Sequence, residues 1–172
     1  MNGATLSIAS DFVKTGIEKA GIPLTETLEA YLSITFARYI GATISVDLLT
    51  VRVTRALDEN APSHALRTLA DECLIACAFF EGRLRRTGGS VRHYVGLGQM
   101  SYDAASLTEQ AYGFVLMRDV IASAAGRLAE EEPGALLDRA KAGSAAARAD
   151  LADQNVVLGP WGANPRGGLL WR

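Results

Sequence analysis

Two cysteines and two histidines are the side chains of this sequence that bind metals most readily. Cys73 and Cys77 are four residues apart, so on a helix they would share a face and could supply two ligands of a tetrahedral site. Neither His64 nor His93 has helical spacing to a cysteine, and both cysteines lie in an apolar run. Free cysteine is among the most buried residue types, so we predict that the pair packs in the core, with no metal site and no cofactor. A metal or redox role for the pair is the alternative.

The acidic pair Asp71 and Glu72 stands where the same segment becomes wholly apolar. Burial of a carboxylate is costly unless it is paired, so one of the two should face solvent, and the other should bond an arginine, a tyrosine hydroxyl or a helix N-terminus. A catalytic acid with a raised pKa, acting with His93, is the alternative. The chain has no G-x-S-x-G turn, and neither histidine has a Glu three residues before it, as a di-iron bundle requires. We therefore assign no catalytic residue and expect no enzyme.

Basic residues gather around Gly88 and Gly89, between two predicted helices. They are Arg83, Arg85, Arg86, Arg92 and His93. Cations at the end of one helix complement its dipole, which is a sufficient structural reason for their presence. The next helix begins there, however, and its free N–H groups together with the arginines could bind an anion. The candidate residues for anion or ligand binding are Arg86, Arg92, His93, Tyr94 and Tyr102.

Several glycines stand inside segments that have a helical pattern. They are Gly82, Gly96, Gly98 and Gly113. A glycine inside a helix costs about 1 kcal/mol relative to alanine, so each should have a cause. Close contact between helix backbones is the first interpretation. A small-ligand pocket, opened where side chains are missing, is the second. Its lining would be Phe80, Tyr94, Met100 and Tyr102.

The length and composition are those of a single globular domain. The chain has 172 residues, of which 49% are hydrophobic and 21% charged, and this composition excludes an intrinsically disordered protein. The net charge of -2 supplies no general basic field, so we predict no nucleic-acid binding. We see no leader sequence and no charge-free run of about 18 apolar residues. The sequence thus predicts a cytoplasmic protein with no membrane contact, in which the cysteines stay reduced.

Apolar residues recur at three- and four-residue spacing, with Gly, Pro, Ser and Thr at the breaks. This pattern predicts an all-α, single-domain bundle of about six or seven helices. The predicted helices cover about 6–19, 25–40, 45–57, 63–86, 90–106, 106–129 and a peripheral 134–152. Helix 63–86 is apolar on every face in its middle, so we expect it to be the central buried helix.

Local signals set the expected ends and faces of these helices. Thr25 and Ser90 are predicted N-caps, and Ser106 with Glu109 has the spacing of a capping box. The first helix should bury Ile8, Phe12, Val13 and Ile17. Residues 43–58 could form a strand instead of a helix, because apolar residues alternate there. No second strand pattern is present to pair with them, so we favour the helix.

The last 18 residues, 155–172, differ in kind from the rest. They contain glycines and two prolines and show no period, yet they retain two tryptophans and two adjacent leucines. A disordered tail seldom keeps such large apolar groups. We therefore divide the chain into a helical bundle domain, 1–154, and an extended C-terminal arm, 155–172, that lies in a groove of its own chain or of a neighbour. The candidate interface residues are Trp161, Leu169, Leu170 and Trp171.

Three stretches together carry a resemblance to a known family. They are Leu69–Leu74 (LADECL), Phe79 with Phe80, and Val91–Tyr102 (VRHYVGLGQMSY). They resemble a bacterial family of uncharacterised all-helical proteins, whose pattern is Gly-Asp-x-x-Leu-x-x-x-Gly-Phe-Phe followed by an aromatic helix with Tyr, Gly and Ala-Tyr. The match covers about residues 50–106, and Ala70 and Ala78 stand where the family has glycine. The resemblance implies an all-helical fold and no particular activity.

The sequence thus leads to two functional hypotheses. The first is a non-enzymatic helical protein that acts through protein–protein interaction or self-association as a homo-oligomer, with the C-terminal arm as part of the interface. The alternative is a small-molecule or anion-binding sensor whose pocket lies near residues 86–102.

Overall fold

The computed structural model describes residues 3–86, 90–126, 136–137, 140–141 and 143–154. Within these ranges the chain forms eight helices and no strand. The helices are α1 (Gly3–Ala20), α2 (Glu26–Tyr39), α3 (Leu49–Asp58), α4 (Ser63–Phe79), α5 (Glu81–Arg86), α6 (Val91–Ala104), α7 (Thr108–Ala124) and α8 (Ala145–Asp153). The predicted all-α bundle is confirmed. The predicted arm, 155–172, lies outside the described residues, as do its candidate interface residues Trp161, Leu169, Leu170 and Trp171.

Helix α4 occupies the centre of the bundle. It packs against α2, α3, α5, α6 and α7, and every residue from Cys73 to Ala78 is buried. A helix that is apolar on all faces needs neighbours on all sides, and these five helices provide them. The prediction of a central buried helix is confirmed.

The central helix is shorter than predicted, because the segment 63–86 forms two helices. The break is at Phe80, whose φ of -120° and ψ of 24° leave the helical region. Its carbonyl oxygen then accepts from the N–H groups of Arg83 and Leu84, which starts α5. The bend brings α5 against α6 as well as α4, and Leu84 is fully buried there. The break therefore places Leu84 in the core, beyond the end of α4.

Two of the three predicted caps are confirmed. The Thr25 hydroxyl accepts from the N–H of Leu28, and the Ser90 hydroxyl accepts from the N–H of His93. The capping box at Ser106 is wrong: this residue has a φ of +61°, because the chain reverses direction between α6 and α7 within three residues. The Glu109 carboxylate instead accepts a hydrogen bond of 2.6 Å from the Thr25 hydroxyl.

The ambiguous segment 43–58 is helical only from Leu49 onward. Residues 42–46 have no regular structure, and the helix starts four residues later than predicted. Val46, Leu49 and Val53 are buried, whereas Leu48 is exposed. Of the alternating residues, Val46 is buried and Ile44 packs against the core, whereas Leu48 is exposed, so the alternation belongs to an irregular segment that leads into α3.

Helices α1 and α7 approach each other closely at Gly16. A Cβ built on Gly16 would lie 2.9 Å from the carbonyl carbon of Val120 and would overlap its oxygen. This contact turns Ala9, Val13 and Gly16 inward, so the expected burial of Ile8 is wrong. Small residues let two helix backbones come closer than a row of larger side chains would allow.

The helical glycines divide into two groups. A Cβ on Gly98 would overlap the ring of Phe114, and one on Gly113 would lie 2.5 Å from Leu28 Cδ1. At both glycines a side chain of a neighbouring helix occupies the space that a Cβ would need, so the predicted close helix contact is confirmed there, although it is made by a side chain and not by a second backbone. The prediction is wrong for Gly96, which has nothing within 4 Å, and for Gly82, which meets only the tip of Arg86 at 3.8 Å.

Helix α8 belongs to a small second cluster of apolar side chains. Its members are Leu136, Ala140, Ala147 and Leu151, with Leu137 packed against them. The predicted single helix over 134–152 is interrupted, because Gly143 has a φ of +99° and Ser144 caps α8. The helix predicted over 106–129 corresponds to α7, which ends at Ala124. Residues 127–129 lie outside the described residues.

Candidate functional site

The polar centre of the bundle is the carboxylate of Asp71, which is 0% exposed. The hydroxyls of Tyr31 and Tyr102 both donate to its Oδ1 atom at 2.7 Å. On the other oxygen, Arg38 Nη1 donates to Oδ2 at 3.1 Å, and Arg67 Nε lies 3.9 Å away. We call these five residues the Asp71 cluster.

Helical spacing brings the cluster together from three helices. Tyr31 and Arg38 are seven residues apart on α2, which is two turns and places them on one face. Arg67 and Asp71 are four apart on α4 and are neighbours on its surface. Tyr102 comes from the last turn of α6. The cluster therefore ties α2 and α6 to the central helix.

Burial dominates the electrostatics of the cluster. It raises the pKa of Asp71, and the hydrogen bonds from Tyr31 and Tyr102 and the charges of Arg67 and Arg38 offset this only in part. Burial and the nearby carboxylate raise the pKa of Tyr31 to about 12 and that of Tyr102 well above its ordinary value. Both tyrosines are therefore protonated at neutral pH and act as hydrogen-bond donors.

Asp71 is closed to any substrate, because it is inaccessible and both of its oxygens are bonded. The predicted bond of one acidic residue to an arginine or a tyrosine is confirmed for Asp71. The expectation that the other would face solvent is wrong, because Glu72 is largely buried and accepts two bonds from Arg52, at 2.6 and 3.1 Å. The parts of the Asp71 cluster that a ligand could reach are the side chains of Arg38 and Arg67, which are partly exposed at the surface.

The five predicted ligand-binding residues fall into an exposed group and a buried group. Arg86, Arg92 and His93 are exposed, and His93 Nε2 lies 3.1 Å from the Thr50 hydroxyl. Tyr94 and Tyr102 are buried. Tyr102 is part of the Asp71 cluster. Gly88 and Gly89, around which the basic residues gather in the sequence, lie outside the described residues. An anion site near residues 86–102 stays a prediction.

The predicted pocket lined by aromatic side chains does not form from its four residues. Tyr94 and Tyr102 are buried, whereas Phe80 and Met100 are exposed. Met100 faces a groove of about 330 Å³ between α6 and α7. The groove is lined by Gln99, Met100, Asp103, Ala111 and Tyr112.

A second buried ion pair was missed by the sequence analysis. Arg118 and Asp119 on α7 are both fully buried, and the guanidinium donates to Asp119 Oδ1 at 2.6 and 3.0 Å. The Ser144 hydroxyl donates to the other oxygen of Asp119 at 2.6 Å and caps α8. The signal was present in the sequence as an Arg-Asp pair inside the apolar stretch Val115–Ala125. The pair joins α7 to α8.

Both cysteines are buried and free, which confirms the core-packing prediction. Burial raises the pKa of the Cys73 thiol well above its ordinary value and that of Cys77 to about 12. A thiol reacts as the thiolate, so both side chains should be inert in the folded protein.

We expect a disulfide reagent such as dithionitrobenzoate to modify neither cysteine of the native protein at pH 8 within an hour. Both should react within minutes in concentrated guanidinium chloride, since unfolding exposes them. The measurement is the absorbance of the released thionitrobenzoate. Fast modification of one thiol under native conditions would show that α4 is more accessible than the structure indicates.

No protein-family model, curated protein or solved structure matches this chain. In the part of the chain that the structure describes, no helix has both the length and the apolar character needed to cross a membrane. The same residues include no group of three or more His, Cys, Asp or Glu side chains placed to hold a metal ion.

Proposed function

We propose that this chain is a non-enzymatic helical protein that binds a second copy of itself. In this proposal the C-terminal arm of one copy occupies the α6–α7 groove of the other. The observation that carries it is the exposure of two large apolar side chains on that groove, Met100 at 58% and Tyr112 at 84%. Aromatic residues and methionine are enriched in protein interfaces.

The arm has the chemistry to fill this groove. It carries two tryptophans and two adjacent leucines, and tryptophan is among the residues that contribute most to binding. Its charged residues are Arg166 and Arg172, with no acidic residue between 155 and 172, whereas the groove contains Asp103. Apolar and charge complementarity therefore agree. A segment of this length can span up to about 60 Å when extended, which is enough to reach a neighbouring molecule.

Two further observations support the proposal. The closure of Asp71 argues for a binding role over an enzymatic one, because this carboxylate, whose pKa is raised by burial, has no access to substrate. The free thiols of Cys73 and Cys77 are consistent with a cytoplasmic location, which belongs to the same proposal. As a further part of this proposal, the chain is a member of the bacterial all-helical family that it resembles. The sequence pattern over residues 50–106 supports this.

Size-exclusion chromatography with light scattering tests the self-association. The full chain should elute as a dimer or larger assembly at micromolar concentration, and a chain that ends at Gln154 should be monomeric. Tyr112→Ser in the full chain should weaken association by about tenfold or more, the loss expected for a central interface tyrosine. Ile8→Ser is the matched control, because Ile8 is also exposed but lies on α1, and it should leave association unchanged. A monomeric full chain, or a truncated chain that still associates, would contradict the proposal.

A further inference from the structure

Two arginines from different helices converge on one carboxylate oxygen. Arg38 Nη1 on α2 and Arg67 Nε on α4 lie 3.1 and 3.9 Å from Asp71 Oδ2. The two guanidinium groups therefore lie close to the same oxygen atom. A single carboxylate neutralises only one of the two positive charges.

Neighbouring carboxylates do not supply the missing negative charge. Glu72 follows Asp71 on α4, but both of its oxygens are bonded to Arg52. Among the side chains paired here, the three arginines Arg38, Arg52 and Arg67 face the two carboxylates of Asp71 and Glu72, so this group carries one excess positive charge when both carboxylates are ionised.

Both guanidinium groups keep unused donors. A guanidinium has five N–H donors. Within the described residues, Arg38 donates only to Asp71, and Arg67 donates only to the Tyr31 hydroxyl, at 3.2 Å. Their side chains are 45% and 36% exposed, so each is partly accessible to a ligand from solvent.

The two groups are also held in place. Arg67 lies over the ring of Tyr31, 4.9 Å from its centroid, and Tyr31 is itself bonded to Asp71. Arg38 is held by its bond to the same buried carboxylate. Because the two arginine side chains are already held, a bound ligand would cost little of their conformational entropy, and this favours binding.

We propose that Arg38 and Arg67 form a binding site for an oxyanion, a carboxylate or a phosphate group, which bridges the two guanidinium planes. Planar guanidinium donors match the geometry of both groups. Asp71 lies behind the arginines and opposes the anion, and the site is open to water, so the affinity is weak, with a Kd of about 1 mM. This site is separate from the α6–α7 groove and does not depend on self-association.

The test is a titration of the full-length protein with an anion. Binding is monitored through the arginine Nε–H signals in ¹H–¹⁵N spectra. Inorganic phosphate and acetate are added in separate series, with sodium chloride adjusted to hold ionic strength constant. The Arg38 and Arg67 signals should shift and saturate. Arg55, which is exposed and paired with Glu59, is the internal control and should not show saturable shifts. Saturation with phosphate alone, acetate alone or both supports the site and identifies the anion it takes.

Lysine substitutions test the geometry while keeping the charge next to Asp71. Arg38→Lys and Arg67→Lys should each raise the Kd at least fivefold, with an unchanged circular dichroism spectrum. Arg55→Lys should bind as the wild type does. Unsaturable shifts of equal size at all three arginines, or wild-type affinity in both lysine variants at the cluster, would overturn the proposal.

Discussion

Replacement of Asp71 by alanine is expected to lower the free energy of unfolding by about 3 to 5 kcal/mol at pH 7. The substitution leaves the buried hydroxyls of Tyr31 and Tyr102 without their acceptor and removes the partner of Arg38. It also leaves a cavity in the middle of the bundle. Urea denaturation, monitored by circular dichroism, measures this decrease in the free energy of unfolding.

Asp71→Asn should cost less, about 1 to 3 kcal/mol, because the amide oxygen can still accept from both tyrosines. Its NH₂ group would face another donor, Arg38 Nη1, which explains the remaining loss. Asp11→Asn on exposed α1 is the matched control and should change stability by less than about 0.5 kcal/mol. Equal stability of the wild type and Asp71→Ala would show that the cluster does not hold the helices together.

The pH dependence of the same pair of proteins reports on the Asp71 charge. Burial raises the pKa of Asp71 in the folded state above the unfolded value of about 3.9. The contribution of this group to stability is therefore fully present below pH 3.9 and is lost as the pH rises through the folded pKa. The stability difference between wild type and Asp71→Asn should be largest near pH 4 and smaller at pH 7. A difference that grows toward pH 7 would mean that the arginines and tyrosines outweigh burial.

The second large effect is expected at the crossing of α1 and α7. Gly16→Ala should lower the free energy of unfolding by about 2 to 3 kcal/mol, because the new methyl group would overlap the backbone of Val120 and force the two helices apart. Thermal and urea unfolding both measure this loss.

Gly96→Ala is the matched control for Gly16→Ala. A methyl group there meets no atom within 4 Å, so only the gain in helix propensity remains, and stability should rise by about 0.5 to 1 kcal/mol. Opposite signs for the same substitution in two helices would isolate the packing effect. A Gly16→Ala protein as stable as the wild type would show that α1 and α7 are not in backbone contact.

The Asp71 cluster shows how a binding surface can arise from a structural requirement. The central helix needs a polar anchor to α2 and α6, and a buried carboxylate bonded by tyrosines and arginines provides it. The two arginines that approach this carboxylate stand at the edge of the bundle, and their side chains stay partly exposed.

The sequence by itself determined the all-α class, the central position of α4, the caps at Thr25 and Ser90, and the burial of both cysteines. These features depend on residues within about four positions of each other, through helical period, capping and local apolar content. Such local signals can be recognised before the packing of the helices is known. The interruption at Phe80 escaped them because the helical period and apolar content continue through this residue, while the structure turns α5 against α6 as well as α4.

Only the tertiary structure decided which polar groups meet. Asp71 bonds Tyr31, which is 40 residues earlier, and Tyr102, which is 31 residues later, while Glu72 is taken by Arg52. These pairings depend on how the helices cross, and the crossings depend on close contacts at Gly16 and Gly98. The crossing geometry is a property of all the packed faces together, so the spacing within any one helix could not predict it.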